Sequence, residues 1–152
     1  MMGTPSMPYS ADVTLLYLIK QVELAARSHL EDAVSPAGLT SLQYTALTVL
    51  ERRPGLTSAQ LARNSFVRAQ TMAQMTTYLE GEGLIRRDRD PSSRRQFLLY
   101  LTAKGEEVVA SLRESVAGIE QKMLSGLTER EALQLRALLR ACRQALGGGD
   151  PH

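Results

Sequence analysis

The chain has 152 residues, enough for one domain with a buried core, and its hydrophobic (43%) and charged (22%) fractions are those of an ordinary globular protein. Its start, MMGTPSMPYS, lacks the basic residues and apolar run of a signal peptide, and no segment is apolar over the length of a membrane span. One cysteine, Cys142, excludes an intrachain disulfide and favours a reducing compartment, so a cytoplasmic location is expected.

Charge is unevenly spread. From Arg52 to Lys104 ten Lys/Arg stand against four Asp/Glu, so this window carries +6 and the remainder of the chain −4, for a total of +2. A basic middle between acidic flanks fits a polyanion site, and a solvated basic face fits the same charges.

Residues 1–10 read as a flexible start and 147–152 as a flexible tail, with a single domain over 11–146 between them. A first helix is predicted from Val13 to about Val34, where Leu15, Leu18, Ile19, Val22, Ala25, Ala26, Leu30 and Ala33 recur at helical spacing. Ser35-Pro36 and Gly38 end it. Three later helices share one start signal. Thr40 with Gln43, Thr57 with Gln60, and Thr128 with Glu131 each form a capping box, with a leucine before each cap and Tyr44, Leu61 or Ala132 as the apolar residue that staples the turn.

The second helix then spans about Ser41–Arg52 and stops before Pro54-Gly55. The third is short, about Ser58–Asn64. A tight turn at Ser65–Arg68 leads to a fourth, about Ala69–Glu82, ended by Gly83. Leu84–Asp88 and Gln96–Leu101 read as two short strands around an arginine-rich turn. In the second, Phe97, Leu99 and Leu101 alternate to one face and Gln96, Leu98 and Tyr100 to the other. A fifth helix runs from about Thr102 to Ser125, and a sixth from Glu129 to Leu146 with Leu135, Leu138, Leu139, Cys142 and Leu146 on one stripe.

A short helix, a turn, a longer helix and a hairpin make a winged helix-turn-helix. The expected fold class is mainly α with a small two- or three-stranded β wing, flanked by a helical dimerisation region (about 11–34 and 102–146; winged part about 40–101). In the fourth helix, Met72, Met75, Thr76 and Leu79 form a core face. Gln70, Thr71, Gln74, Thr77 and Tyr78 lie away from it, short and uncharged, which suits hydrogen bonding to base edges. An ordinary amphipathic surface helix would carry the same pattern. The hairpin tip DPSSRR places Arg94 and Arg95 where guanidinium groups fit a minor groove, and Arg86, Arg87 and Arg89 at its base suit phosphates. Ion pairing of those arginines with Asp88 and Asp90 would stiffen the same hairpin.

The run LTSLQYTALTVLERRPGLTSAQLARNSFVRAQTMAQMTTYLEGEGLIRRDRDPSSRRQFLLYLTAKG resembles the MarR (multiple antibiotic resistance regulator) family of bacterial transcription factors. The resemblance extends over about Val13–Leu146. It rests on the order Leu-Thr-x-x-Gln, Leu-Thr-x-x-Gln-Leu-Ala, Leu-Glu-x-x-Gly-Leu-Ile-x-Arg, Asp-Pro-x-x-Arg-Arg and Leu-Thr-x-x-Gly, specific in combination only. It implies a homodimer, built from the first and last two helices, that reads a palindromic operator in double-stranded DNA. It also implies a small-molecule or redox input that weakens DNA binding, with a small aromatic or phenolic compound as the expected effector.

Four departures stand out from the family's usual pattern. Ser93 stands where an aspartate would bridge within the wing tip, leaving Arg95 freer. Arg68 replaces a serine or threonine cap before the fourth helix. Phe66 replaces glycine in the preceding turn. No cysteine lies near the start of the first helix, where the peroxide-sensing branch has one.

The expected DNA contacts are Thr57, Arg68, Gln70, Thr71, Gln74, Thr77, Arg86, Arg94 and Arg95. Of these, Gln70, Thr71 and Gln74 would read bases, Arg95 would enter the minor groove, and Arg68, Arg86 and Arg94 would hold phosphates. Tyr17, Lys20, His29 and Tyr44 are the candidates for lining an effector pocket, although residues of these types are more often part of a core or a surface. Cys142 is expected to be a buried structural thiol. Isolated His29 and His152 give no metal-ligand spacing, and no nucleophile–base or phosphate-loop motif points to an enzyme or a cofactor. The functional expectation is a ligand-responsive, DNA-binding repressor. The alternative is a winged-helix protein-interaction module, with the arginines meeting an acidic partner and Tyr78 and Tyr100 as contact aromatics.

Overall fold

A computed structural model describes residues 13–147. The expectations for residues 1–10 and for the tail beyond Gly147, His152 included, lie outside the described residues. Six α-helices and one two-stranded antiparallel sheet follow in the predicted order: α1 (Leu15–Val34), a 3-10 turn (Ser35–Ala37), α2 (Ser41–Arg52), α3 (Ser58–Asn64), α4 (Ala69–Gly81), β1 (Ile85–Asp90), β2 (Ser93–Leu101), α5 (Ala103–Met123) and α6 (Glu129–Ala145). No described helix is long and apolar enough to cross a membrane.

The helix starts follow from their caps. The three capping boxes at Thr40, Thr57 and Thr128 all form, each hydroxyl accepting the amide three residues on. Thr14 and Thr102 cap α1 and α5 in the same way without the returning side chain. Each cap contributes about 1 kcal/mol.

Leu47, Leu50, Leu61, Met72, Leu79, Ile85, Leu99 and Val109 are almost wholly buried and form the centre of the core. They come from α2, α3, α4, the base of the wing and α5, so the core holds the reading helix α4 against its supports. A third strand is reduced to one bridge between Leu56 and Leu99. There Gly55 and Leu99 donate their amides to Leu99 O and Leu56 O at 2.9 and 2.8 Å.

Three expectations need correction. The strands are longer than predicted, so Arg94 and Arg95 lie inside β2, and the tip shrinks to Pro91-Ser92. The cause is Asp90, whose Oδ1 accepts both the Ser92 amide (2.9 Å) and hydroxyl (2.8 Å) and closes the turn early. Phe97 does not join Leu99 and Leu101 in the core but is 39% exposed, because the hairpin outruns the body beyond Leu99. Cys142 is exposed rather than buried, because no residue of α6 is buried by this chain at all.

The wing and α5 meet at a tight junction. Thr102 donates its amide to Leu84 O at 3.0 Å, its hydroxyl donates to Gly83 O, and Lys104 Nζ donates to Glu82 O at 2.9 Å. A Cβ at Gly105 would stand 2.1 Å from Leu84 O, closer than any real contact. Gly105→Ala is therefore expected to cost about 1–3 kcal/mol, read as a lower urea midpoint. Gly118→Ala on the same helix, where nothing lies within 4 Å of the added carbon, should leave the midpoint unchanged or raise it. Equal effects at both sites would contradict the packing described here.

Candidate nucleic-acid interface

Helix α3 is seven residues long and ends in a turn at Ser65–Val67 that aims α4. Thr57 is half-buried, and its hydroxyl is committed to the Gln60 amide at 3.2 Å. Helix α4 begins at Arg68, which gives no side-chain cap, so its first amides are left for another acceptor. Met72, Thr76 and Leu79 are buried and Met75 partly so, as their spacing predicts. Gln70, Gln74 and Thr77 are exposed, and Thr71 is half-buried beside them. Thr77 donates its hydroxyl to Ala73 O at 3.0 Å, so only its acceptor side is open.

The arginines divide into two sets. Three are held by the protein itself. Arg86 lies over the Tyr100 ring at 4.7 Å, donates to Leu101 O at 3.2 Å and pairs with Asp88 at 3.3 Å. Arg87 bridges β1 to α4, donating to Glu80 at 2.9 Å and Thr76 at 3.3 Å. Arg89 covers Phe97 at 5.1 Å and donates to Arg94 O at 2.7 Å. In contrast, the side chains of Arg63, Arg68, Arg94 and Arg95 make no hydrogen bond, ion pair or ring contact among the described residues.

The two sets have different consequences. Exposed pairs such as Arg86–Asp88 contribute little to stability, about 0–1 kcal/mol, and their main effect is to fix the hairpin's direction. The uncommitted guanidinium groups stand on three elements: Arg63 on α3, Arg68 at the N-cap of α4, and Arg94 and Arg95 on β2. A cavity of about 510 Å³ opens between α3 and β2, lined by Thr57, Ser58, Gln60, Arg63, Arg87, Arg95, Gln96 and Phe97. The predicted contacts Thr57 and Arg95 meet there, whereas Arg86 lies with Glu51, Pro54 and Tyr100 beside a separate cavity. Sequence reasoning did not single out Arg63; its place within the basic window was the available signal.

The four effector candidates are not brought together. Tyr17 is 52% exposed, and Lys20 reaches Glu23 at 3.9 Å on the surface of α1. Tyr44 is buried in the core, where loss of solvent raises its phenol above the usual range. His29 lines a cavity of about 210 Å³ with Val22, Ile119 and Met123. A larger groove of about 450 Å³ runs between α1, α2 and α5. Ala26, Leu30, Leu42, Val116, Ile119 and Met123 form its apolar walls, with Glu23, Arg27, Ser41, Thr45 and Glu120 as polar groups.

Arg27 and Glu23 form a two-point pair at 2.8 and 2.9 Å, and Arg27 holds the Glu23 carboxyl below its ordinary range. Glu31 accepts both the amide and hydroxyl of Ser41, a residue of the groove's lining, at 2.8 and 2.9 Å, and so caps α2 from another helix. The four-residue spacing of Glu23 and Arg27 was visible in the sequence; the Glu31–Ser41 contact was not.

A sequence model of the MarR family matches residues 39–97, the stretch from α2 through most of the wing. The chain is 32% identical over 128 residues to the HTH-type transcriptional repressor Rv2887 of Mycobacterium tuberculosis, covering 84% of this chain and 92% of that one. The crystal structure of Rv2887 in complex with salicylic acid superposes with a TM-score of 0.71 over 88% of this chain and 98% of that one, at 31% identity. The transcriptional repressor CouR bound to a 23-mer DNA duplex gives 0.78 over 85% and 92%, at 29% identity. The chain therefore belongs to the MarR family of transcriptional regulators.

Proposed function

We propose that this chain is a homodimeric repressor that reads a palindromic operator in double-stranded DNA and releases it when a small aromatic or phenolic molecule binds. The observation that carries the DNA reading is the set of uncommitted guanidinium groups on α3 (Arg63), at the start of α4 (Arg68) and on β2 (Arg94 and Arg95), together with the exposed polar residues of α4. Gln70, Thr71 and Gln74 then contact base edges, and Arg95 enters the minor groove. Arg68, Arg94 and Arg63 neutralise phosphates. Arg86, held over Tyr100, serves chiefly to brace the wing. The DNA duplex bound by the similar repressor CouR supports DNA as the partner.

The dimer reading rests on what one chain leaves uncovered. Leu15, Leu16, Leu18, Ile19 and Val22 of α1, and Leu133, Leu138 and Leu139 of α6, are 44–76% exposed. A helix such as α6, apolar along one stripe yet left largely exposed beyond its contact with α5, needs a partner surface. A second copy brings an identical stripe and places two reading helices on one face of DNA, with half-sites a whole number of helical turns apart. The groove between α1, α2 and α5 is the proposed effector site, and the salicylic acid bound by Rv2887 favours a carboxylated aromatic as first probe.

Arg95→Ala is expected to weaken binding to the DNA upstream of the chain's own gene by about 1–3 kcal/mol, measured by gel shift. Wild-type affinity in this variant would remove the wing from the mechanism. If a dimer neutralises about eight phosphates, the slope of log affinity against log salt is about −7, and a slope near zero would contradict the reading. The double variant Leu138→Asp/Leu139→Asp should shift the chain from dimer to monomer in light scattering, because two buried carboxylates without partners oppose association. An unchanged mass would place the interface elsewhere.

A further inference from the structure

The turn between α3 and α4 carries a cost that the fold does not require. Ser65 ends α3, Val67 donates its amide to Ala62 O at 3.0 Å, and Phe66 donates to Arg63 O at 3.4 Å. This pair of bonds is the Schellman pattern, which needs a left-handed residue between cap and exit. Phe66 supplies it with φ 60. Among the described residues every other positive φ belongs to glycine, at Gly38, Gly55, Gly83 and Gly147. A side chain in this conformation brings Cβ against the carbonyl oxygen, a clash that glycine avoids.

The strain brings no packing in return. The Phe66 ring is 79% exposed, while the neighbouring Val67 makes the turn's apolar contact with the core. The hydroxyl of Ser65 is buried beside it without a hydrogen-bond partner, a second feature that selection for stability alone would remove. Strain held where it contributes nothing to the fold points to a contact made outside it.

What that contact is follows from the surroundings. Phe66 stands between the uncommitted Arg63 and Arg68, two residues before the cap of α4. An aromatic anchor for another protein sits best in an apolar, water-excluding rim, whereas the nearest charged residues along the chain on either side of Phe66 are the arginines Arg63 and Arg68. It extends from the loop that delivers Gln70 and Gln74 to the proposed reading surface. In a major groove the apolar feature open to such a ring is the 5-methyl group of thymine.

We propose that Phe66 is a specificity-determining residue that packs on a thymine methyl at the edge of each half-site. This rests on the DNA-reading role proposed above.

The test begins with duplexes recovered by the full-length wild-type chain from a randomised pool. One recovered duplex is then made with thymine and with uracil, which pairs identically but lacks the methyl group. Wild type, Phe66→Gly and Phe66→Asn are compared on both, glycine and asparagine being the residues that tolerate the left-handed conformation. Phe66→Gly should melt about 3–5 °C higher than wild type, since it relieves the strain. Both variants should bind the thymine duplex more weakly, by about fourfold for each half-site, the worth of one methyl group withdrawn from water. Replacing thymine by uracil should cost the wild type a similar factor and the variants almost nothing. Variants that bind the thymine duplex as tightly as wild type would overturn the proposal, as would a uracil penalty equal in all three proteins. A wild-type chain that enriches no sequence would instead overturn the DNA reading beneath it.

Discussion

The first turn of α5 lies so close to the backbone at Leu84 that only a glycine fits between them. That one approach decides how the two halves of the molecule sit. It fixes the end of α4 through Gly83 and Leu84, and the base of the wing through Leu101 and Thr102. It also fixes the direction in which α5 leaves. The polar bonds at the junction, from Thr102 and Lys104 to the carbonyls of Leu84, Gly83 and Glu82, hold the approach against thermal motion. Further along, α5 supplies Val116, Ile119 and Met123 to the groove that faces α1. In the proposed regulatory cycle, a molecule wedged in that groove acts on the same rigid helix that anchors the wing. The coupling therefore needs no separate relay, only a change in the angle of α5 against α2, where Arg113 pairs with Glu51.

Electrostatics divides the labour on the other half. An arginine that is already paired gains less from a phosphate, because it must first give up its partner. Arg86, Arg87 and Arg89 are spent on direction: they hold the hairpin against Tyr100, α4 and Phe97. Arg63, Arg68, Arg94 and Arg95 keep their charge available, and counterion release on binding draws on that set. Ser93, half-buried opposite Asp90, fits this division, since an aspartate there would have drawn a tip arginine into the protein.

Much of this fold was legible because the signals are local. A capping box is decided within four residues, so Thr40, Thr57 and Thr128 marked their helices correctly. The buried face of α4 followed from spacing, as did the turn at Pro54-Gly55. What failed depends on chain brought in from a distance or left uncovered. Strand pairing carried β2 back through Arg95, Arg94 and Ser93, which no alternation could announce. Phe97 had the right parity for the core but lies past its edge. The stripe holding Cys142 was read correctly as apolar, yet periodicity does not say which surface covers it. Among the candidate site residues, Gln70, Gln74 and Thr77 are exposed as the spacing of α4 implies, because a helix orders its faces by itself, and Thr57 and Arg95 line one cavity. Tyr17, Lys20, His29 and Tyr44 scattered because a groove between three helices depends on packing angles. The Glu31–Ser41 contact between α1 and α2 was settled by those angles, whereas the Arg27–Glu23 pair lies within one helix.

The central claim is that two copies of this chain, joined through α1, α5 and α6, present paired reading helices to one duplex. Sedimentation of the full-length chain, alone and with DNA from upstream of its gene, tests this most directly. The account predicts a dimer before DNA is added and a complex of two chains per duplex that dissociates as salt is raised. A monomer free in solution, or a complex holding one chain per duplex, would contradict it.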